Sequence, residues 1–74
     1  MASFLNGYYM PSSVVAHMSY NPELSILQIR FVSGLVYDYK KVPLEVYEAM
    51  RTSSSKGEYL NKHIKGNYPF KKVS

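Results

Sequence analysis

Residues 27–39, LQIRFVSGLVYDY, read as one β-hairpin, and the rest of the chain can be placed around it. Leu27, Ile29 and Phe31 alternate with Gln28 and Arg30, and Leu35, Tyr37 and Tyr39 alternate with Val36 and Asp38, the period of a sheet with one buried face. A two-residue loop of Ser33 and Gly34 sets Phe31 opposite Val36 and Ile29 opposite Asp38, which mixes the faces. A three-residue loop of Val32, Ser33 and Gly34 sets Phe31 opposite Leu35, Ile29 opposite Tyr37 and Leu27 opposite Tyr39, and keeps the apolar set together. It also puts Gly34 last in the loop, where a turn followed by a bulge needs positive φ.

Upstream, Val14, Ala16, Met18 and Tyr20 fall in one phase and Val15, His17 and Ser19 in the other, so residues 13–20 read as a further strand. Asn21-Pro22-Glu23-Leu24 supplies the turn between them, with asparagine first and proline second. Pairing Tyr20 with Ser25 puts Met18 opposite Leu27, Ala16 opposite Ile29 and Val14 opposite Phe31. Residues 1–12, MASFLNGYYMPS, have apolar residues without a clear period and read either as an N-terminal arm or as an extra edge strand.

Downstream, the greasy sheet face needs a cover. Pro43 to Arg51 supplies it, with Pro43, Val46, Tyr47 and Met50 at helical spacing and Glu45 near the positive end of the helix dipole. Ser55-Lys56-Gly57-Glu58 has the spacing of a capping box. The second helix then runs to about Lys65, with Leu60 and Ile64 inward, and Gly66 ends it as a left-handed cap. Gly57 in its first turn costs roughly 1 kcal/mol relative to alanine, which implies a close approach to its backbone. Asn67 to Ser74 is extended, with Tyr68 and Phe70 available to dock. The expected architecture is α+β: a three-stranded antiparallel β-meander covered on one face by two C-terminal α-helices, in the order β-β-β-α-α, with residues 13–74 as a single domain.

The chain has 74 residues, near the lower size at which a domain folds without staples, and no cysteine, which excludes disulfides and thiolate metal sites. Its first basic residue is Arg30 and no apolar run approaches a bilayer span, so neither a secretory signal nor a membrane anchor is expected. The expected location is the cytoplasm. The formal charge of +4 is unevenly spread: from Arg51 onward six lysines or arginines face the single acid Glu58. That asymmetry points toward a polyanionic partner, and equally describes a solvated surface.

These residues together resemble the KTSC domain, a family found at the C-terminus of some lysyl-tRNA synthetases and as free-standing small bacterial and phage proteins. The resemblance runs from about Ser13 to Val73. It is carried by Tyr20-Asn21-Pro22-Glu23, by Phe31, Gly34 and Tyr37-Asp38-Tyr39, by Val42-Pro43 with Val46-Tyr47, and by Ser55 and Gly57 followed by Tyr59, Asn61, Ile64-Lys65 and Tyr68. Ser19 stands where glycine is common and Lys65 where arginine is common, so a bidentate phosphate contact is not available at position 65. The resemblance implies a small α+β module for which RNA binding has been suggested. It makes Tyr37, Tyr39, Gly34, Pro43 and Gly57 signature positions, which we read as structural.

Two constellations carry functional readings. Tyr37 and Tyr39 share a sheet face and would stack unpaired bases if bare, but the hairpin register turns them into the core. Lys62, Lys65, Lys71 and Lys72, with Arg51 and Lys56, form a phosphate-facing candidate patch, with Asn61, His63 and Tyr68 beside it. Asn61 alternatively bonds a neighbouring backbone as a structural residue. His17 and His63 lie on different elements and no cysteine joins them, so no metal site or cofactor is expected. Ser53, Ser54 and Ser55 fit capping and loop roles, and Glu45 and Glu48 form no acid–base pair, so no catalysis is expected. The leading expectation is a non-catalytic module that binds RNA or another nucleic acid through the second helix and the C-terminal tail. The alternative is a protein-interaction or homodimer module using an edge strand, or the outer sheet face with Val15, Ile26 and Val36.

Overall fold

The structure, a computed structural model, describes residues 14–74. The arm or edge strand expected at residues 1–12 lies outside the described residues. Four antiparallel strands form one sheet in the order β1-β2-β3-β4: β1 is Val15–Asn21, β2 Ile26–Phe31, β3 Val36–Tyr39 and β4 Phe70–Lys72. Between β3 and β4 come α1, Leu44–Arg51, and α2, Lys56–Tyr59, which continues into a π-helical turn at Leu60–Ile64.

The β2–β3 hairpin has the expected register, with Leu27 opposite Tyr39 and Ile29 opposite Tyr37. Phe31 N–H donates to the Leu35 carbonyl at 2.8 Å, and Gly34 N–H donates to the Phe31 carbonyl at 2.9 Å. Gly34 takes φ +99°, the conformation its place in the loop requires. Leu27, Ile29 and Tyr39 are buried, while Leu35 at the loop end is exposed.

The β1 register departs from expectation in two ways. Tyr20 pairs with Leu27 and Met18 with Ile29, a slip of two residues from the expected partners. An even slip keeps each side chain on its face, so Met18 and Tyr20 still pack on the core. The slip follows from the turn: the Asn21 Oδ1 accepts from the N–H groups of Glu23 and Leu24 at 3.0 and 3.1 Å, and Ser25 closes the loop at φ 56°. The second departure is a bulge between Val15 and His17, which sets Val15 opposite Phe31. An odd residue inverts the faces beyond it. Val15 therefore joins the core, and Val14 and Ala16, expected inside, are exposed.

The fourth strand is the main correction to the architecture, which is β-β-β-α-α-β. Phe70 pairs with Tyr39, Lys71 with Asp38 and Lys72 with Tyr37. β4 is only three residues long and has no alternation of its own, so its extension is set by pairing with β3.

The helical layer covers the face of Leu27, Ile29 and Tyr39. Pro43 is the N-cap of α1, one place earlier than expected, and Glu45 sits in the first turn. Met50 is fully buried, and Val46 and Tyr47 pack half-buried against the core. Ser55 caps α2 by accepting from the Glu58 N–H at 3.3 Å, and Gly57 is buried. The next turn is wider than an α-turn: Lys65 N–H donates to the Leu60 carbonyl at 2.9 Å, five residues back. Leu60 and Ile64 bracket that turn with both side chains fully buried, and Gly66 follows at φ +81°. The core comprises Val15, Leu27, Ile29, Tyr39, Val42, Met50, Leu60 and Ile64.

Candidate nucleic-acid interface

The expected basic patch is divided by the strand geometry of the C-terminal segment. Consecutive residues of a strand point to opposite faces. Lys72, paired with Tyr37, and Phe70, paired with Tyr39, lie on the helix side of the sheet, whereas Lys71 lies on the other side beside Asp38. The Asp38 carboxylate also accepts from the Gln28 amide at 2.9 Å, so Lys71 faces a polar surface that already holds an acid.

Two of the other expected cations have acidic partners. Arg51 donates to Glu48 at 2.6 Å, and its guanidinium is held above its usual pKa by that hydrogen bond and charge. The Lys62 ammonium lies 3.2 Å from Glu58, the one acid from Arg51 onward. Both pairs are exposed, so solvent screens them. Lys56 is half-buried at the start of α2, far along the helical segment from Lys65.

Lys65 stands apart. The π turn ends before it, its backbone is extended, and it is exposed. With Phe31, Leu35 and Tyr37 it lines a hollow of about 360 Å³ beside the β2–β3 loop. Lys65 and Lys72 thus flank Tyr37 from two different elements.

The aromatic residues are more exposed here than the hairpin register alone implies. Tyr39 is 2% exposed, and burial, followed by its neighbour Tyr37, pushes its phenol above the ordinary value. Tyr37 is half-buried, meets Phe31 edge-on at 5.3 Å and lies flat against Phe70 at 5.0 Å. Phe70 is 56% exposed. Tyr68, expected beside the patch, packs partly buried against the core, so the exposed ring of this segment is Phe70. Phe70 was not legible as a site residue, although its spacing of two from Lys72 places ring and ammonium on one face of any strand.

Asn61 is exposed on the π turn and makes no side-chain hydrogen bond among the described residues. The amide contact to this turn comes instead from Asn67, which donates to the His63 carbonyl at 3.0 Å. The exposed His63 ring lies 4.4 Å from that of Tyr59. Among the described residues no cluster of three histidine, cysteine or acidic side chains could hold a metal ion, and no helix is long and apolar enough to cross a membrane. Of the apolar residues expected on the outer sheet face, Ile26 is half-buried. Val15 belongs to the core through the bulge, and Val36 is buried.

The sequence model of the KTSC domain matches residues 11–68. The chain belongs to the KTSC domain family. A lysine–tRNA ligase of Nostoc punctiforme is 44% identical to this KTSC domain over 62 residues, 84% of this chain and 11% of the ligase. The chain therefore spans about a tenth of the length of the curated ligases it matches. An uncharacterised protein of Stutzerimonas stutzeri is 38% identical over 56 residues, which cover 76% of this chain and 79% of that protein. The crystal structure of a KTSC domain protein from Yersinia pestis superimposes with a TM-score of 0.83 at 28% identity, covering 88% of this chain and 92% of that one. The KTSC domain is thus both a small accessory segment of a far longer enzyme and most of the length of small proteins.

Proposed function

We propose that this KTSC domain is a non-catalytic, cytoplasmic module that binds RNA. The observation that carries the reading is the position of Lys65 and Lys72: exposed, on either side of Tyr37, and without an acidic partner among the described residues. Unneutralised ammonium groups beside half-exposed aromatic rings suit a phosphate backbone with unpaired bases. The Nostoc punctiforme relative, named for charging a tRNA, supports RNA as the polyanion. Lys62 and Arg51, neutralised by Glu58 and Glu48, contribute less, and Lys71 meets a different part of any ligand.

The test is fluorescence anisotropy with a labelled single-stranded RNA over a salt series. Binding should weaken as salt rises, with each phosphate contact adding about 0.7 to the slope of log K against log salt. Lys65→Gln with Lys72→Gln should lower that slope by about 1.4 and weaken binding, whereas Lys62→Gln should leave the slope nearly unchanged. Binding equally strong in the Lys65/Lys72 double variant would sink the assignment. A second reading, protein capture or self-association through a sheet edge, would persist in high salt.

A further inference from the structure

The ring pair of Tyr37 and Phe70 runs across the strands. The ring centroids are 5.0 Å apart and the planes 14° from parallel; Phe70 sits opposite Tyr39 in the register, so its ring leans diagonally across the seam onto Tyr37. The stack therefore steps from β3 to β4. Because β4 is the last strand in the sheet order, the stack ends on Phe70, and no further strand lies beyond it to cover the second face of that ring. The exposure of Phe70, 56%, agrees with an uncovered face.

The backbone points the same way. Lys40 N–H donates to the Pro69 carbonyl at 2.8 Å, and Val73 N–H donates to the Val36 carbonyl at 2.7 Å. In an antiparallel ladder the bonded pairs alternate, so residues 69, 71 and 73 bond β3, and Phe70 and Lys72 aim their N–H and C=O groups away from it. The edge thus combines an aromatic face, two outward backbone groups of each kind and the Lys72 ammonium on the same side of the strand.

We infer that the outward face of Phe70 is a stacking platform for one base of single-stranded RNA, with Lys72 and Lys65 meeting the adjoining phosphates. The inference rests on the RNA reading above and adds the strandedness of the ligand and the position of a base. A duplex cannot use this platform, because its bases are already paired and stacked. An added peptide strand fits the edge less well: β4 has three residues, of which only two face outward, too short a row for a strand partner. Phe70 and Lys72 lie beyond Tyr68, where the match to the family model ends.

The experiment uses the full chain and RNA dodecamers of one sequence, single-stranded and annealed to the complement, each also with 2-aminopurine at successive positions. The wild type should bind the single strand at least tenfold more tightly than the duplex, and 2-aminopurine at one or two positions should be quenched on binding. Phe70→Leu should weaken single-strand binding roughly tenfold and abolish the quenching, while Phe70→Tyr retains both. Circular dichroism of each variant verifies folding, and the quenching in the wild type needs no variant at all. Three outcomes overturn the platform while leaving the RNA reading intact: quenching at no position, equal binding of duplex and single strand, or full binding by Phe70→Leu. A DNA dodecamer that binds as tightly as the RNA overturns the commitment to RNA. Failure of the wild type to bind any RNA, with or without capture of an acidic peptide, overturns both readings together.

Discussion

The phenolic hydroxyl of Tyr20 donates to the main-chain carbonyl of Val42 at 2.6 Å, tying β1 to the loop between β3 and α1. Val42 is fully buried, and the Tyr20 ring lies flat on Tyr47 of α1 at 5.1 Å. One side chain therefore joins an early strand to the helical layer through a polar tip and an apolar body. Tyr20→Phe keeps the ring and leaves the carbonyl without its donor. The expected cost is about 1 kcal/mol, which lowers Tm by about 4–8 °C in a domain of this size. Thermal unfolding checks this, and an unchanged Tm would mean that the carbonyl finds another donor.

Gly34→Ala should destabilise through the backbone alone. A Cβ built at this position meets no atom within 4 Å, so no side-chain clash enters, but φ +99° disfavours any L side chain. The expected loss is about 1–2 kcal/mol, measured as a lower urea midpoint with an unchanged slope. No shift in the midpoint would show that the loop adopts a second conformer at no cost.

Stability should fall in alkali through Tyr39. Burial, with Tyr37 beside it, holds its phenol above the ordinary 10.0 in the folded chain, while the unfolded chain titrates near that ordinary value. Above about pH 10 the unfolded state therefore binds fewer protons than the folded state, and the balance tips toward unfolding. This stabilisation is complete below the unfolded pKa and is lost as pH rises through the folded one. Urea midpoints followed from neutral pH upward should decline more steeply in the wild type than in Tyr39→Phe. Parallel declines would place the alkaline loss on other groups.

How much of this was legible in the sequence depends on whether a feature is local. The Gly34 loop was, because only one loop length keeps Leu27, Ile29, Tyr37 and Tyr39 on a common face. Leu60, Ile64, Ser55 and Gly66 were also legible from spacing and capping chemistry. The bulge in β1 was not, since Val14 and Val15 are both apolar and either phase satisfies the pattern. β4 was not, since Phe-Lys-Lys becomes a strand only when β3 is placed beside it. The candidate site depends on that strand. Read as a free tail, Lys71 and Lys72 form one basic cluster; read as a strand, they belong to opposite surfaces. The pairing of Lys62 with Glu58 was within reach, because a glutamate four residues before a lysine on a helix is a favourable neighbour.

β3 and β4 are adjacent in the sheet, yet residues 40–69 separate them along the chain. Closing that seam joins residues far apart in the chain and costs more loop-closure entropy than either hairpin, which places it after the two hairpins in folding. Tyr37 and Phe70 lie on its two sides. Anything that grips both rings would act as a clasp on the final zippering step and would slow amide exchange at Lys71 before that of β1 or β2.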